Sequence, residues 1–266
     1  MSNQPLCIGR INALNMYPLY HHLAGPAGEG LTFLDGLPTA LNAALLEGRV
    51  DISAVSSIAY ARNADRFQIL PDACIAADGA VDSIQVFSQL PFEQLRTVAI
   101  TPHSATSVAL LRVLVGPTVT FCPLVGDPRD APEDGVLLIA DEALAVLREG
   151  AFPVHTDLSE RWQAMTGHPM VFAVWAARRD VVQRHPEAVE AFAELLRSAR
   201  AEYVREPSSA ARAAASRFGL PEATVADYFQ RLRYRFGAAE REGLSHFLEL
   251  ARQAGELERV PMEIAA

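Results

Sequence analysis

The 266-residue chain contains no lysine. All 23 of its basic residues are arginine, and against 32 acidic residues they leave a formal net charge of −9. Without lysine there is no Schiff-base or pyridoxal-phosphate chemistry and no P-loop lysine to meet a nucleotide phosphate. An acidic, lysine-free surface also lacks the cationic stripe that general nucleic-acid affinity requires, so no nucleic-acid partner is expected. Cysteine is sparse as well. Cys7, Cys74 and Cys122 are far apart, odd in number and form no CxxC pair, which leaves a disulfide framework and a zinc ribbon unsupported. They read as buried free thiols that behave as small hydrophobes.

Long apolar runs are missing. No stretch approaches the ~18 uninterrupted apolar residues of a transmembrane helix, so no membrane association is expected. Met1–Pro5 shows no charged segment leading into an apolar run, and the expectation is a soluble, cytoplasmic protein without a secretory signal. Familiar catalytic signatures are also absent. The histidines at 21, 22, 103, 155, 168, 185 and 246 show no HExxH or other ligand spacing, and the adjacent His21 and His22 point in different directions on a helix. There is no G-x-S-x-G for a nucleophile elbow. Gly25-Pro26-Ala27-Gly28-Glu29-Gly30 has the wrong glycine order for a dinucleotide fingerprint and reads as a loop. No metal and no cofactor are expected.

What is present is an alternation of short β-rich runs and helical patterns over the first two thirds. Strands are expected at Leu6–Gly9, Leu31–Phe33, Asp51–Val55, Gln68–Leu70, Ser83–Phe87, Thr97–Ile100, Val119–Cys122 and Val136–Ile139. Helices are expected at Tyr17–Leu23, Pro38–Glu47, from Ser56-Ser57 through Arg62, at Thr106–Val115 and at Glu142–Glu149. Such alternation means βαβ units and an α/β class with a mainly parallel sheet. From Arg179 onward the pattern is almost wholly helical, punctuated by Pro186, Pro207, Gly219-Leu220-Pro221 and Gly237. Two apolar runs, Ser83–Ser88 and Met170–Ala176, bracket a block the size of one small domain. The expected arrangement is two α/β lobes joined by these two crossing strands, with the helical tail returning to the first lobe. Residues 1–88 and 176–266 would form lobe I and residues 89–175 lobe II, with the ligand site in the cleft between them.

In an open parallel sheet, ligands bind beyond the carboxyl ends of strands, where helix N-termini present free N–H groups. Four segments qualify: Asn12–Met16, Ser56-Ser57, Asp78–Ser83 and Thr101–Ser107. The last gathers four hydroxyls and His103 around a helix start with no acidic residue among them. Hydroxyl and backbone donors there would make a neutral cradle for a carboxylate, each charge-assisted hydrogen bond contributing roughly 1.5–3 kcal/mol. Ordinary N-capping by Ser or Thr uses the same residues. The residues alone leave a solute-binding module and an enzyme both open.

At these same segments the chain resembles a known family. Ile8-Gly9-Arg10-Ile11-Asn12-Ala13-Leu14-Asn15-Met16-Tyr17-Pro18-Leu19 is similar to its opening motif, and Leu45 to Tyr60, with Gly48, Asp51 and Ser57, to a second. Ala76–Ile84, Ser104–Leu111 and Phe172–Arg178 are similar to three more. In this order the motifs resemble the chorismate dehydratases of the futalosine route to menaquinone, over most of residues 6–180. The resemblance implies a type II periplasmic-binding-protein-like fold used as a cytoplasmic enzyme. That enzyme would convert chorismate, a dicarboxylate, to 3-[(1-carboxyvinyl)oxy]benzoate and water without a cofactor. It implies active-site roles for Asn15 and Ser83 and a carboxylate-binding hydroxyl turn at Ser104, Thr106 and Ser107; Ser56 and Ser57 at the start of a helix, and Asp141 beside the motifs, are further expected substrate-binding residues. Three positions depart from the pattern: Ala13 for a tyrosine, Ser56 for a proline, and Ala140 where glycine often precedes Asp141. A non-catalytic binding protein for a small carboxylate is the alternative.

Overall fold

The computed structural model describes residues 5–23, 31–262 and 264; the Gly25–Gly30 segment lies outside them. The chain opens with β1 (Cys7–Ile11), α1 (Tyr17–Leu23), β2 (Thr32–Gly36), α2 (Pro38–Glu47), β3 (Ile52–Ser56) and α3 (Ser57–Arg62). It continues through β4 (Phe67–Ala77), β5 (Ile84–Ser88), β6 (Thr97–Ile100), α4 (Ala105–Val115), β7 (Thr120–Pro123), β8 (Gly135–Ile139) and α5 (Ala140–Glu149). Next come β9 (Val154–Asp157), α6 (Leu158–Thr166), β10 (Met170–Arg178), α7 (Arg179–Arg184), α8 (Pro186–Arg205) and α9 (Pro207–Phe218). It ends with α10 (Glu222–Arg231), β11 (Leu232–Arg233) and α11 (Ala238–Gln253). These form two compact units. Residues 1–76 and 172–237 make the first, and residues 77–171 and 238–266 the second.

The first unit is built on a six-stranded sheet in the order β11-β4-β10-β3-β1-β2. β1 runs parallel to β2 and β3, whereas β10 runs antiparallel to β3. The sheet is therefore mixed rather than mainly parallel, because an apolar run such as that of β10 reads the same in either direction. Pro38 at the first turn of α2 and Gly48 at its end (φ +81) fix that helix, the glycine supplying a left-handed turn that a Cβ would strain. Trp175 of β10 is fully buried and meets Tyr20 of α1 and Phe192 of α8, each at a ring-centroid distance of 5.7 Å. α8 and α9 pack on α1, and the helices up to α10 belong to the first unit.

The second unit holds a five-stranded sheet in the order β7-β6-β8-β5-β9. β6 is parallel to β7 and β8, and β5 is antiparallel to β8 and β9. Alternate residues Val136 and Leu138 of β8 share a buried cluster with Phe87 and Ala99, closed by Ala143 and Val146 one helical turn apart on α5.

Two expected boundaries are corrected. Ser83–Ser88 is not a crossing strand: as β5 it has ladder partners on both sides and lies wholly inside the second unit. The division falls instead within β4, at Ala76–Ala77, and within β10, at Val171–Phe172. The last helix, α11, belongs to the second unit rather than the first. Its Phe247 ring stands edge-on to Trp162 of α6 at 5.8 Å, and its Gly243 lies against the carbonyl oxygen of Pro169.

Candidate functional site

In the first unit, β1 and β3 point the same way, with Ile8 opposite Ile52 and Gly9 opposite Ser53. Their carboxyl ends deliver Asn12–Met16 and Ser56-Ser57 to one edge of the sheet. Asn12 Oδ1 accepts from the Arg217 guanidinium at 2.7 Å. Asn15 sits in a short 3₁₀ turn, Leu14–Met16, and its backbone carbonyl accepts from the Tyr234 hydroxyl at 2.9 Å. Tyr234 is buried, and desolvation holds its phenol well above the ordinary tyrosine range, so the group stays a proton donor. The side-chain Oδ1 of Asn15 and the hydroxyl of Ser56 are both buried, with no hydrogen-bond partner among the described residues. Such atoms carry a desolvation penalty that a polar ligand would offset. Ser57, wholly buried, opens α3.

In the second unit, antiparallel β5 places its start beside the end of β8, with Ile84 opposite Ile139, and beside the end of β9, with Gln85 opposite Asp157. β6 ends on the same side, with Ile100 opposite Leu137. One sheet edge therefore collects Ser83, Thr101–Ser107, Ala140-Asp141 and Asp157, together with the N-termini of α4, α5 and α6. Ser83 is 3% exposed. Ser104 caps α4: its Oγ accepts from the Ser107 N–H at 3.1 Å, and its hydroxyl donates to Ser107 Oγ at 2.8 Å. Ordinary N-capping is thus realised at Ser104, and the cap orients Ser107. Thr106 and Ser107 are buried. Asp141 is exposed in the first turn of α5, where the helix terminus favours a carboxylate.

Asp157 and Gln85 were not among the expected site residues. Asp157 is 6% exposed, and both of its carboxylate oxygens are occupied. Oδ2 accepts from the N–H groups of Val81 and Asp82 at 2.9 and 2.7 Å and from Gln85 Nε2 at 2.8 Å. Oδ1 caps α6 through Ser159 N–H and Glu160 N–H at 2.9 and 3.1 Å. Burial pushes this carboxyl above the usual carboxylate range, against the opposing pull of the backbone N–H donors. Asp157-Leu-Ser-Glu160 has the form of a helix-start signature, which made the Oδ1 side legible in the sequence. Nothing local marks the Oδ2 side, whose donors lie some 75 residues earlier.

Two cavities lie away from these segments. One of about 380 Å³ is lined by Leu95, Arg96, Leu114, Val119, Arg161 and Met165, at the start of β6 and the end of α4, opposite to Thr101–Ser107. Another of about 400 Å³ lies beside Arg66, Phe67, Arg178, Arg179 and Asp180, at the end of β10 farthest from the residue opposite Ser56. Among the described residues no group of three or more histidine, cysteine, aspartate or glutamate side chains is placed to hold a metal, and no helix is long and apolar enough to cross a membrane.

Comparison with known proteins places this geometry in context. A family described as menaquinone biosynthesis matches residues 6–253. The chain is 35% identical to the chorismate dehydratase of Thermus thermophilus over 92% of its own length and 95% of that protein. A solved structure from Archaeoglobus fulgidus superimposes with a TM-score of 0.78 at 18% identity, covering 97% of this chain and 100% of that one. A Candida albicans protein described as having the generic periplasmic binding protein fold follows at 0.70 and 13% identity, covering 98% and 93%. The fold is thus that of the periplasmic binding proteins. By the extent of these matches, the chain belongs to the menaquinone biosynthesis family.

Proposed function

We propose that this protein is a chorismate dehydratase, a carbon–oxygen lyase acting in menaquinone synthesis by the futalosine route, in the cytoplasm. The observation that carries the reading is the 35% identity to the Thermus thermophilus chorismate dehydratase across 92% of the chain. In the reaction, the carbon–oxygen bond to the ring hydroxyl of chorismate breaks. The proton leaves the neighbouring ring carbon that bears the enolpyruvyl ether, its electron pair completes the aromatic ring, and water and 3-[(1-carboxyvinyl)oxy]benzoate result. Aromatisation supplies the driving force. The protein's task is to hold a dianion in one pose and to assist the departing hydroxyl.

Asn15 and Ser83 take that second role, hydrogen-bonding the reacting ring and the leaving oxygen. Asn15 brings a buried amide oxygen without an internal partner. Ser83 brings a buried hydroxyl at a sheet edge shared by three helix N-termini. Ser57, Thr106 and Ser107, with Ser56 and the Ser104 cap, hold the carboxylates through neutral donors, which suits a lysine-free protein of net charge −9. Asp141 repels carboxylates and contributes only as an acceptor to a substrate hydroxyl.

Addition of chorismate to the purified protein, followed by ultraviolet absorption, tests the reading. Protein-dependent appearance of an aromatic enol ether is the expected result. A thermal shift without turnover would instead identify a binding protein for a small carboxylate. Folded Ser83→Ala and Asn15→Ala variants are expected to lose most turnover; wild-type rates in both would remove their assignment.

A further inference from the structure

We infer that Asp157 is a positioning residue for Ser83, holding the 80–83 backbone in the one conformation that presents the serine hydroxyl at the sheet edge. The inference rests on the role given to Ser83 above. Three observations carry it. First, Asp157 Oδ2 collects two successive N–H groups, those of Val81 and Asp82, immediately before Ser83 in the chain. Second, Asp82 has φ +63, a left-handed conformation that is uncommon outside glycine although aspartate adopts it more readily than most residues, and one that needs local contacts to fix it. The carboxylate on its own N–H is such a contact. Third, Gln85 Nε2 donates to the same oxygen, so the loop is tied to Asp157 on both sides of Ser83, while the glutamine is 1% exposed. The opposite oxygen is fixed by α6. The rigid start of that helix is thereby coupled to a strained loop, the arrangement by which a supporting residue holds a reacting group in place.

The test uses three variants of the full chain, each checked for folding and assayed well below its melting temperature. In Asp157→Asn, either orientation of the amide turns its NH₂ onto N–H donors. The expected result is a fall in kcat of about tenfold to a hundredfold, with KM altered by less than about threefold, because a misplaced group lowers reactivity more than binding. Gln85→Leu leaves the α6 cap intact and removes one tie to the loop. It is expected to lower kcat in the same sense by a smaller factor, and it carries the test alone should Asp157→Asn fail to fold. A residue that merely caps α6 would leave kcat of the Gln85→Leu protein at the wild-type value. That result, or a wild-type kcat in folded Asp157→Asn, overturns the inference while the role of Ser83 stands. Wild-type turnover in Ser83→Ala would overturn both.

Discussion

The backbone N–H of Ala140 donates to the carbonyl oxygen of Ser83 at 2.7 Å. One short bond thus ties the residue that opens α5 to the residue that precedes β5. Both flanks of the contact are in left-handed conformations, Asp82 at φ +63 and Ala140 at φ +51. Strain of this kind persists where the surroundings over-determine it, and it concentrates at sites that bind or react. The edge so built carries the hydroxyls of Ser83, Ser104, Thr106 and Ser107 and the backbone N–H groups of three helix starts.

Ala140→Gly tests how much of that strain is steric. An alanine in the left-handed region costs about 1–2 kcal/mol, and glycine returns about 0.5–1 kcal/mol as lost chain entropy. The expected net is a gain of up to about 1.5 kcal/mol in unfolding free energy, measured by urea denaturation. A loss of stability would show that the conformation at this position is not strained.

That residue also shows what the sequence made legible. The departure from glycine before Asp141 is visible in the sequence, but its meaning appears only with the φ angle. The strands β3, β6 and β8, and the helix α2 that proline opens and glycine closes, lie within a residue or two of where the periodicity puts them. β4 runs past Pro71 and Asp72 to Ala77 because ladder partners rather than propensity extend it; β9, Val154-His155-Thr156-Asp157, carries a single apolar residue and β11 has two residues, so neither leaves a pattern. Motif order singles out Asn15, Ser57 and Ser83 as candidates. It does not single out Asp157, Gln85 or Tyr234, whose contacts reach more than 70 residues along the chain.

His22 makes stability depend on pH. Burial lowers its pKa below the ordinary 6.5, and the adjacent His21 adds to the effect. Glu202 and Glu206 oppose it, while Arg205 reinforces it. The unfolded chain therefore binds more protons than the folded one just below pH 6.5, and stability is lost as pH falls through that value. Unfolding free energies at pH 7.5 and 5.5 are expected to differ more in the wild type than in His22→Gln. An equal difference in both would assign the pH dependence to other groups.

Tyr234→Phe probes the support beneath Asn15. Removing the hydroxyl leaves the Asn15 carbonyl without its 2.9 Å donor and costs about 1–2 kcal/mol of stability. The turn that carries Asn15 also loosens, so turnover of chorismate is expected to fall by about tenfold with little change in KM. Unchanged kcat in a destabilised protein would separate the tyrosine from the site.

Gly243→Ala tests where the last helix belongs, and the sign of the effect decides it. In a helix interior, alanine is better than glycine by about 0.8–1 kcal/mol, so an α11 free of this packing would be stabilised. Here an added Cβ would lie 2.2 Å from the backbone oxygen of Pro169, just before β10, and a backbone atom cannot swing aside as a flexible side chain would. Relief requires α11 to shift away from Trp162, whose ring meets Phe247 of that helix and whose indole N–H donates to the same Pro169 oxygen at 3.3 Å. The overpacking is expected to outweigh the propensity gain and destabilise the protein by about 1–3 kcal/mol, read by urea denaturation. A more stable Gly243→Ala protein would mean that α11 does not pack against Pro169, and would remove this contact as a ground for placing the helix in the second unit rather than the first, where the chain pattern alone had put it.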